Sequence, residues 1–165
     1  MTFSTEPPQL RQSFTGAAVN GVINGAISWS AFKGLDQVPL SVDSIAAPGV
    51  TALGNAATVA FALTFIITSV TFFVFRGAAR KSADAPPALK SLSYWSAGLR
   101  IALRNTLLVF GGFVAAAVLW QRFAGTLLVG PVLATGVVAL VAMAATALAE
   151  WRTKLEMLQA QALAA

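Results

Sequence analysis

Residues 44–75 read SIAAPGVTALGNAATVAFALTFIITSVTFFVF, 32 positions without one charged side chain. A helix crossing ~30 Å of hydrocarbon needs about 20 such residues, so this stretch is long enough to span a bilayer and leave a loop over. Working outward from it, further uncharged runs occupy 12–32, 105–121 and 123–149. The fold class expected is therefore all-α and integral to a membrane. It comprises four transmembrane helices in one bundle domain covering 1–165, with spans near 13–32, 50–75, 104–122 and 128–150. The fourth span has a second possible start at Pro131, because proline is tolerated in a first helical turn.

Bulk composition supports lipid as the solvent. Hydrophobic residues make up 57% and charged residues 10% of the 165-residue chain, and mean hydropathy is +0.75, all far from a soluble domain with about a quarter of its residues charged. A net charge of +5 does not imply nucleic acid here, because the basic residues flank the spans instead of clustering on one soluble face. With no cysteine and no histidine, thiolate chemistry, disulfides and the usual soft metal sites are excluded. The aspartates Asp36, Asp43 and Asp84 are scattered, and the glycine and basic residues around Arg76 lack the G-x-x-x-x-G-K-[ST] spacing of a phosphate loop. No catalytic constellation can be assembled and no cofactor or metal is expected. The chain reads as a non-enzyme.

Orientation follows from the basic residues, since short cytoplasmic flanks retain positive charge during insertion. Arg11, Arg76, Arg80, Lys81, Lys90, Arg100, Arg104, Arg152 and Lys154 fall on one side of the four-span scheme and only Lys33 and Arg122 on the other. Both termini are thus expected in the cytoplasm. Residues 1–11 form a polar tail with Pro7 and Pro8, expected to be disordered, and they lack the basic opening of a cleaved signal. Residues 33–49 make an external loop broken by Pro39, Pro48 and Gly49, and 76–90 a cytoplasmic linker.

Two further segments have amphipathic spacing. Over 89–104, Leu89, Leu92, Trp95, Leu99 and Leu103 share one helical face and Lys90, Ser93, Arg100 and Arg104 the other, the pattern of an interfacial helix leading into the third span. Trp95, Arg100, Arg104 and Trp151 are candidate contacts to anionic lipid on the cytoplasmic side or to a partner; snorkelling alone also accounts for the arginines. After the fourth span, Trp151, Leu155, Leu158 and Ala162 recur on one face, while Glu150 with Lys154 and Arg152 with Glu156 form i,i+4 pairs. A helical C-terminal extension is expected, its apolar stripe packing on the lead-in helix or on another subunit.

Span one carries the most specific local pattern, AAVNGVINGAISW. Asn20, Asn24 and Ser28 lie four residues apart on one face, beside a stripe of Ala17, Gly21 and Gly25 that allows close helix approach. Span two offers a matching row in Thr51, Asn55, Thr58, Ala62 and Ser69. On span three, Gly111 with Ala115 and Gly112 with Ala116 form another close-approach surface. Asn20, Asn24, Ser28, Asn55 and Thr58 have two possible roles: structural amides and hydroxyls joining helices, or the lining of a polar path for a neutral solute or ion. Interhelical hydrogen bonds in membranes average about 0.6 kcal/mol, so joining helices is the ordinary role. A proton- or cation-coupled pump needs an intramembrane ionisable residue, and the uncharged runs contain none.

The residues NGVINGAISW, then VPLSVDSI and ATVAFALTFIITSVTFF, resemble a group of small, functionally uncharacterised multipass bacterial membrane proteins, sometimes labelled permease-like. The similar part covers residues 14–75 and includes Asn20, Ile23, Asn24, Gly25, Trp29, Asp43, Ser44 and Asn55. The resemblance implies a bacterial inner-membrane protein and brings no activity or ligand. From the residues alone, the expected role is a scaffold, an accessory subunit or a homo-oligomer among membrane lipids and other membrane subunits. The alternative is a small permease-like conduit.

Overall fold

A computed structural model describes residues 13–42 and 49–162. The tail expected over 1–11 and the loop residues Asp43, Ser44 and Pro48 lie outside the described residues. Helix α1 spans Phe14–Phe32 and α2 spans Ala52–Lys81. A short α3, Pro87–Ser91, and a π-helical turn, Tyr94–Gly98, precede α4, Leu99–Ala124, and α5 covers Pro131–Ala162. Among the described residues three helices, over Ala52–Lys81, Tyr94–Ala124 and Pro131–Gln159, are long and apolar enough to cross a membrane, the pattern of a multi-pass membrane protein. Helix α1 is 19 residues long, and Asn20, Asn24, Ser28 and Ser30 keep its hydropathy below that of the other long helices.

The chain is not purely helical. Strand β1, Val38–Leu40, pairs antiparallel with β2, Leu127–Val129, in the register Val38↔Val129, Pro39↔Leu128 and Leu40↔Leu127. Backbone groups in these loops cannot pair within a helix, and a ribbon satisfies them. Because β1 joins α1 to α2 and β2 joins α4 to α5, the ribbon gathers the C-terminal ends of α1 and α4 and the N-terminal ends of α2 and α5 at one end of the molecule. Gln121 closes this end further: its Oε1 accepts from Ser41 Oγ at 3.1 Å and from the Val42 amide at 3.0 Å. Gly125 ends α4 at φ +70°, ψ −167°, a region essentially reserved for glycine.

Helix α5 packs against both α1 and α2, and α2 packs against α4. At the ribbon end the core is Phe32, Val38, Ala52, Ala56, Ala134 and Val138. At the opposite end it is Phe72, Ala79, Ala85, Leu89, Ile101 and Met157. Helix α2 starts where Thr51 caps it, its side chain accepting from the Gly54 amide at 3.2 Å; such caps stabilise by about 1 kcal/mol. It does not stop at Arg76. The alanines and basic residues that follow are good helix formers, and Arg80 and Lys81 sit in the last turn, where they favour the negative end of the helix dipole. The linker expected over 76–90 therefore contracts to a few residues around the paired prolines.

The single amphipathic helix expected over 89–104 does not form. Leu92 and Ser93 are extended (ψ 129° and 140°), which breaks the 3.6-residue phase and turns Leu89 into the core while Trp95 is left 80% exposed. The entry to α4 is instead docked on α2 through Tyr94, whose ring stacks on Phe73 at 4.7 Å and whose hydroxyl shares a 2.9 Å hydrogen bond with Ser69. A Cβ on Gly98 would meet the Phe72 ring at 3.0 Å, so glycine lets the turn come this close.

Candidate functional site

The asparagine face of α1 is turned mainly toward α5, not toward α2. Asn20 donates to Thr146 Oγ1 on α5 at 3.3 Å. A Cβ on Gly21 would overlap Met143 and lie 3.2 Å from the Ala139 carbonyl oxygen, and one on Gly25 would lie 3.2 Å from Ala139 Cβ. The small-residue stripe thus allows close approach of α5, whose own row in the region is Thr135, Ala139 and Met143. The sequence marked the face but held no information on which helix fills it.

The residues singled out on α1 and α2 are brought together only in part. Asn55 donates to the buried Ser28 Oγ at 3.1 Å, joining the two helices. Asn24 donates to the Asn20 carbonyl oxygen at 2.9 Å, within its own helix. Thr58 is exposed and donates to the Gly54 carbonyl oxygen at 3.2 Å. The row Thr51, Asn55, Thr58, Ala62, Ser69 is therefore not the buried face of α2. That face is Ala52, Ala56, Ala60, Thr64, Thr68 and Phe72. Asn55 and Thr58 border a groove of about 670 Å³ between the ribbon-end halves of α2 and α4, floored by the edge-to-face pair Phe61 and Phe110 at 5.5 Å.

On α4 the expected close-approach surface has no neighbour among the described residues. No atom comes within 4 Å of a Cβ built on Gly111 or Gly112, and Ala115 and Ala116 are exposed. Around them Leu107, Leu108, Val118, Leu119 and Phe123 are exposed too.

A polar layer that sequence reasoning passed over lies at the end opposite the ribbon. Phe72, Ile101 and Met157 pack together. One helical turn further into the molecule on each of these helices stand Thr68, Asn105 and Thr153, all fully buried. Asn105 donates to Thr153 Oγ1 at 3.5 Å and accepts from Arg152 Nε at 3.1 Å, while Thr153 donates to the Ala149 carbonyl oxygen at 2.5 Å. Arg152 also meets Glu156 at 3.5 Å, and Arg104 of α4 meets the same Glu156 Oε1 at 2.6 Å. Lys154 pairs with Glu150. Glu156 is only 7% exposed and its Oε2 has no donor. The signal available in the sequence was Thr64 and Thr68 at helical spacing, together with Asn105 at the edge of an uncharged run.

The C-terminal extension packs inward through Thr153, Glu156 and Met157; Trp151, Leu155 and Leu158 are half-buried at its flank. The stripe expected from Trp151 onward is thus rotated off the contact, because the polar Thr153 and Glu156 have found partners on α4.

No family model, curated protein or solved structure matches the chain. Geometry alone carries the functional argument: amides and hydroxyls paired between helices, an open apolar face on α4, and a charged cluster where α4 begins and α5 ends.

Proposed function

We propose that the chain is a non-catalytic four-helix bundle of a bacterial inner membrane, with cytoplasmic termini, that serves as a scaffold, accessory subunit or homo-oligomer. Helix α1 is its fourth span. The arrangement of the ribbon supports the topology: it puts Lys33 and Arg122 at one end, and the remaining basic residues of the described helices and linker at the other, as the positive-inside rule requires for a cytoplasmic linker. Membrane lipids, anionic on the cytoplasmic side, are the immediate partners.

The observation that favours a scaffold over a conduit is the pairing of the asparagine amides. Asn20 and Asn55 donate across to neighbouring helices and so act as joints, while Asn24 donates to the backbone of its own helix. All three amides have an acceptor inside the protein, and this favours joints over a row of free donors along a path. Helix α4 is the association surface this reading requires: Gly111 and Gly112 are open to a neighbouring helix, and in lipid close packing of small residues drives such contacts.

Purification from native membranes tests this reading. The chain should emerge as an oligomer or with a second membrane protein, and Gly112→Leu should release that partner while the fold survives. A solitary chain that passes small solutes in liposomes, with Asn24→Leu abolishing the flux, would overturn it in favour of a permease-like conduit.

A further inference from the structure

At the end of the molecule opposite the ribbon, a cleft of about 350 Å³ opens between the start of α4 and the end of α5. Leu92, Ala97 and Ile101 form its apolar wall, and Arg100, Arg104 and Glu156 its charged one. Arg100 and Arg104 are one helical turn apart, so their guanidiniums rise from the same side of α4. Arg100 is exposed and has no partner among the described residues. Arg104 is 58% exposed and held only by Glu156. The carboxylate is the unusual member: it is nine-tenths buried, both arginine contacts fall on Oε1, and Oε2 is enclosed without a donor.

We infer that this cleft binds the headgroup of an aminophospholipid, a phosphodiester with a primary ammonium one ethylene arm away. The phosphate sits between Arg100 and Arg104, drawing the half-exposed Arg104 off the carboxylate, and the ammonium takes its place on Glu156 Oε1. One salt bridge is exchanged for two charge-assisted contacts. A second phosphate or a carboxylate in that position would be repelled by Glu156, and a quaternary ammonium has no N–H to give. The apolar wall and the position fit a lipid and not a free headgroup: Arg104 adjoins the uncharged run of α4, and Glu156 is seven residues beyond that of α5, about 10 Å of helix, at the outer edge of a headgroup layer about 5–8 Å deep. The inference rests on α4 and α5 crossing the membrane. It is independent of which partner α4 meets.

Native mass spectrometry of the detergent-solubilised full chain, with phosphatidylethanolamine, phosphatidylcholine and phosphatidylglycerol offered at equal concentration, provides the test. The ethanolamine lipid should be retained about tenfold more strongly than the choline lipid, the value of one charge-assisted hydrogen bond. Glu156→Gln, which keeps the shape but turns an acceptor into a donor, should erase that preference. Arg100→Gln, at an exposed and unpaired position, should weaken the ethanolamine and choline lipids alike, and it decides the matter if the Glu156 variant does not fold. Equal retention of the three lipids, a preference that survives Glu156→Gln, or an Arg100→Gln variant that binds as before would overturn the assignment. Displacement of the lipid by equimolar soluble phosphoethanolamine would overturn the lipid as its occupant. Because binding is read in detergent, failure of the lipid site and failure of the scaffold reading are separate results.

Discussion

Replacing Gly21 by alanine probes the α1/α5 contact with a single methyl group. The added Cβ overlaps Met143 Cγ, lies 2.9 Å from its Sδ and is checked on the other side by the Ala139 carbonyl oxygen at 3.2 Å. Overpacking of this kind costs about 1–3 kcal/mol, whereas exchanging glycine for alanine in a helix returns up to ~1 kcal/mol. With the full return, the balance is a loss of about 0–2 kcal/mol. Gly25→Ala meets Ala139 Cβ at 3.2 Å and Thr135 Cγ2 at an ordinary 3.9 Å and should be close to neutral. Gly77→Ala, with nothing within 4 Å, isolates the propensity gain and should stabilise. Equilibrium unfolding in mixed micelles at increasing SDS fraction, followed by tryptophan emission, should order the variants as Gly77→Ala, then wild type with Gly25→Ala, then Gly21→Ala. Met143→Ala should remove the obstruction, so the double variant should show a coupling of about 1–2 kcal/mol. A Gly21→Ala protein as stable as Gly77→Ala, or additive behaviour with Met143→Ala, would mean that α1 does not lie against α5 as described.

In this cysteine-free chain, Gln37→Cys should react with an impermeant thiol reagent on intact cells and Ala83→Cys only after permeabilisation; equal labelling would defeat the orientation. Gly125→Ala should cost about 1–3 kcal/mol through backbone strain alone, and Gly130→Ala, equally uncrowded but without a positive φ, should be silent in the same unfolding assay. Val22→Leu, at a position 73% exposed, should leave stability unchanged, and a marked loss there would place protein instead of lipid against that face. Asn24→Leu should change stability by no more than about 1 kcal/mol, since only a bond within α1 is lost, whereas Asn55→Leu, which strips the buried Ser28 of its donor, should cost more.

Length and apolarity made the long helices legible, because a span needs a fixed number of uncharged residues and nothing else in the sequence competes with that requirement. Helix ends were less so: α2 runs on to Lys81 because basic residues end a membrane span without ending a helix. Packing faces were misread for a physical reason. On α2 the exposed residues include Phe61, Ile66, Val70, Phe73 and Val74, large apolar side chains that a soluble protein would bury, while Ala56, Ala60, Thr64 and Thr68 face inward. Lipid reverses the ordinary pattern, so size decides which face is inside, and the polarity that drew attention to Thr58 does not. The β-ribbon could not be read either, since three residues in each of two distant loops give no detectable alternation.

The contact between α1 and α5 also fixes an order of events. Asn20 and its acceptor Thr146 are 126 residues apart, and at about 5–20 residues per second of synthesis the acceptor follows the asparagine by roughly 6–25 s. The least apolar of the long helices is therefore made first and finished last. Until α5 emerges, the amide of Asn20 and the bare flank at Gly21 lack the partners they have in the finished fold, and on the proposal that α1 is the fourth span, hydrophobicity holds it in the bilayer less firmly than it holds α2. Residence of the first helix in lipid becomes a kinetic matter. The ribosome must deliver Pro131–Ala162 before α1 slips back, so truncation ahead of α5 should remove α1 from the membrane while leaving α2 in it.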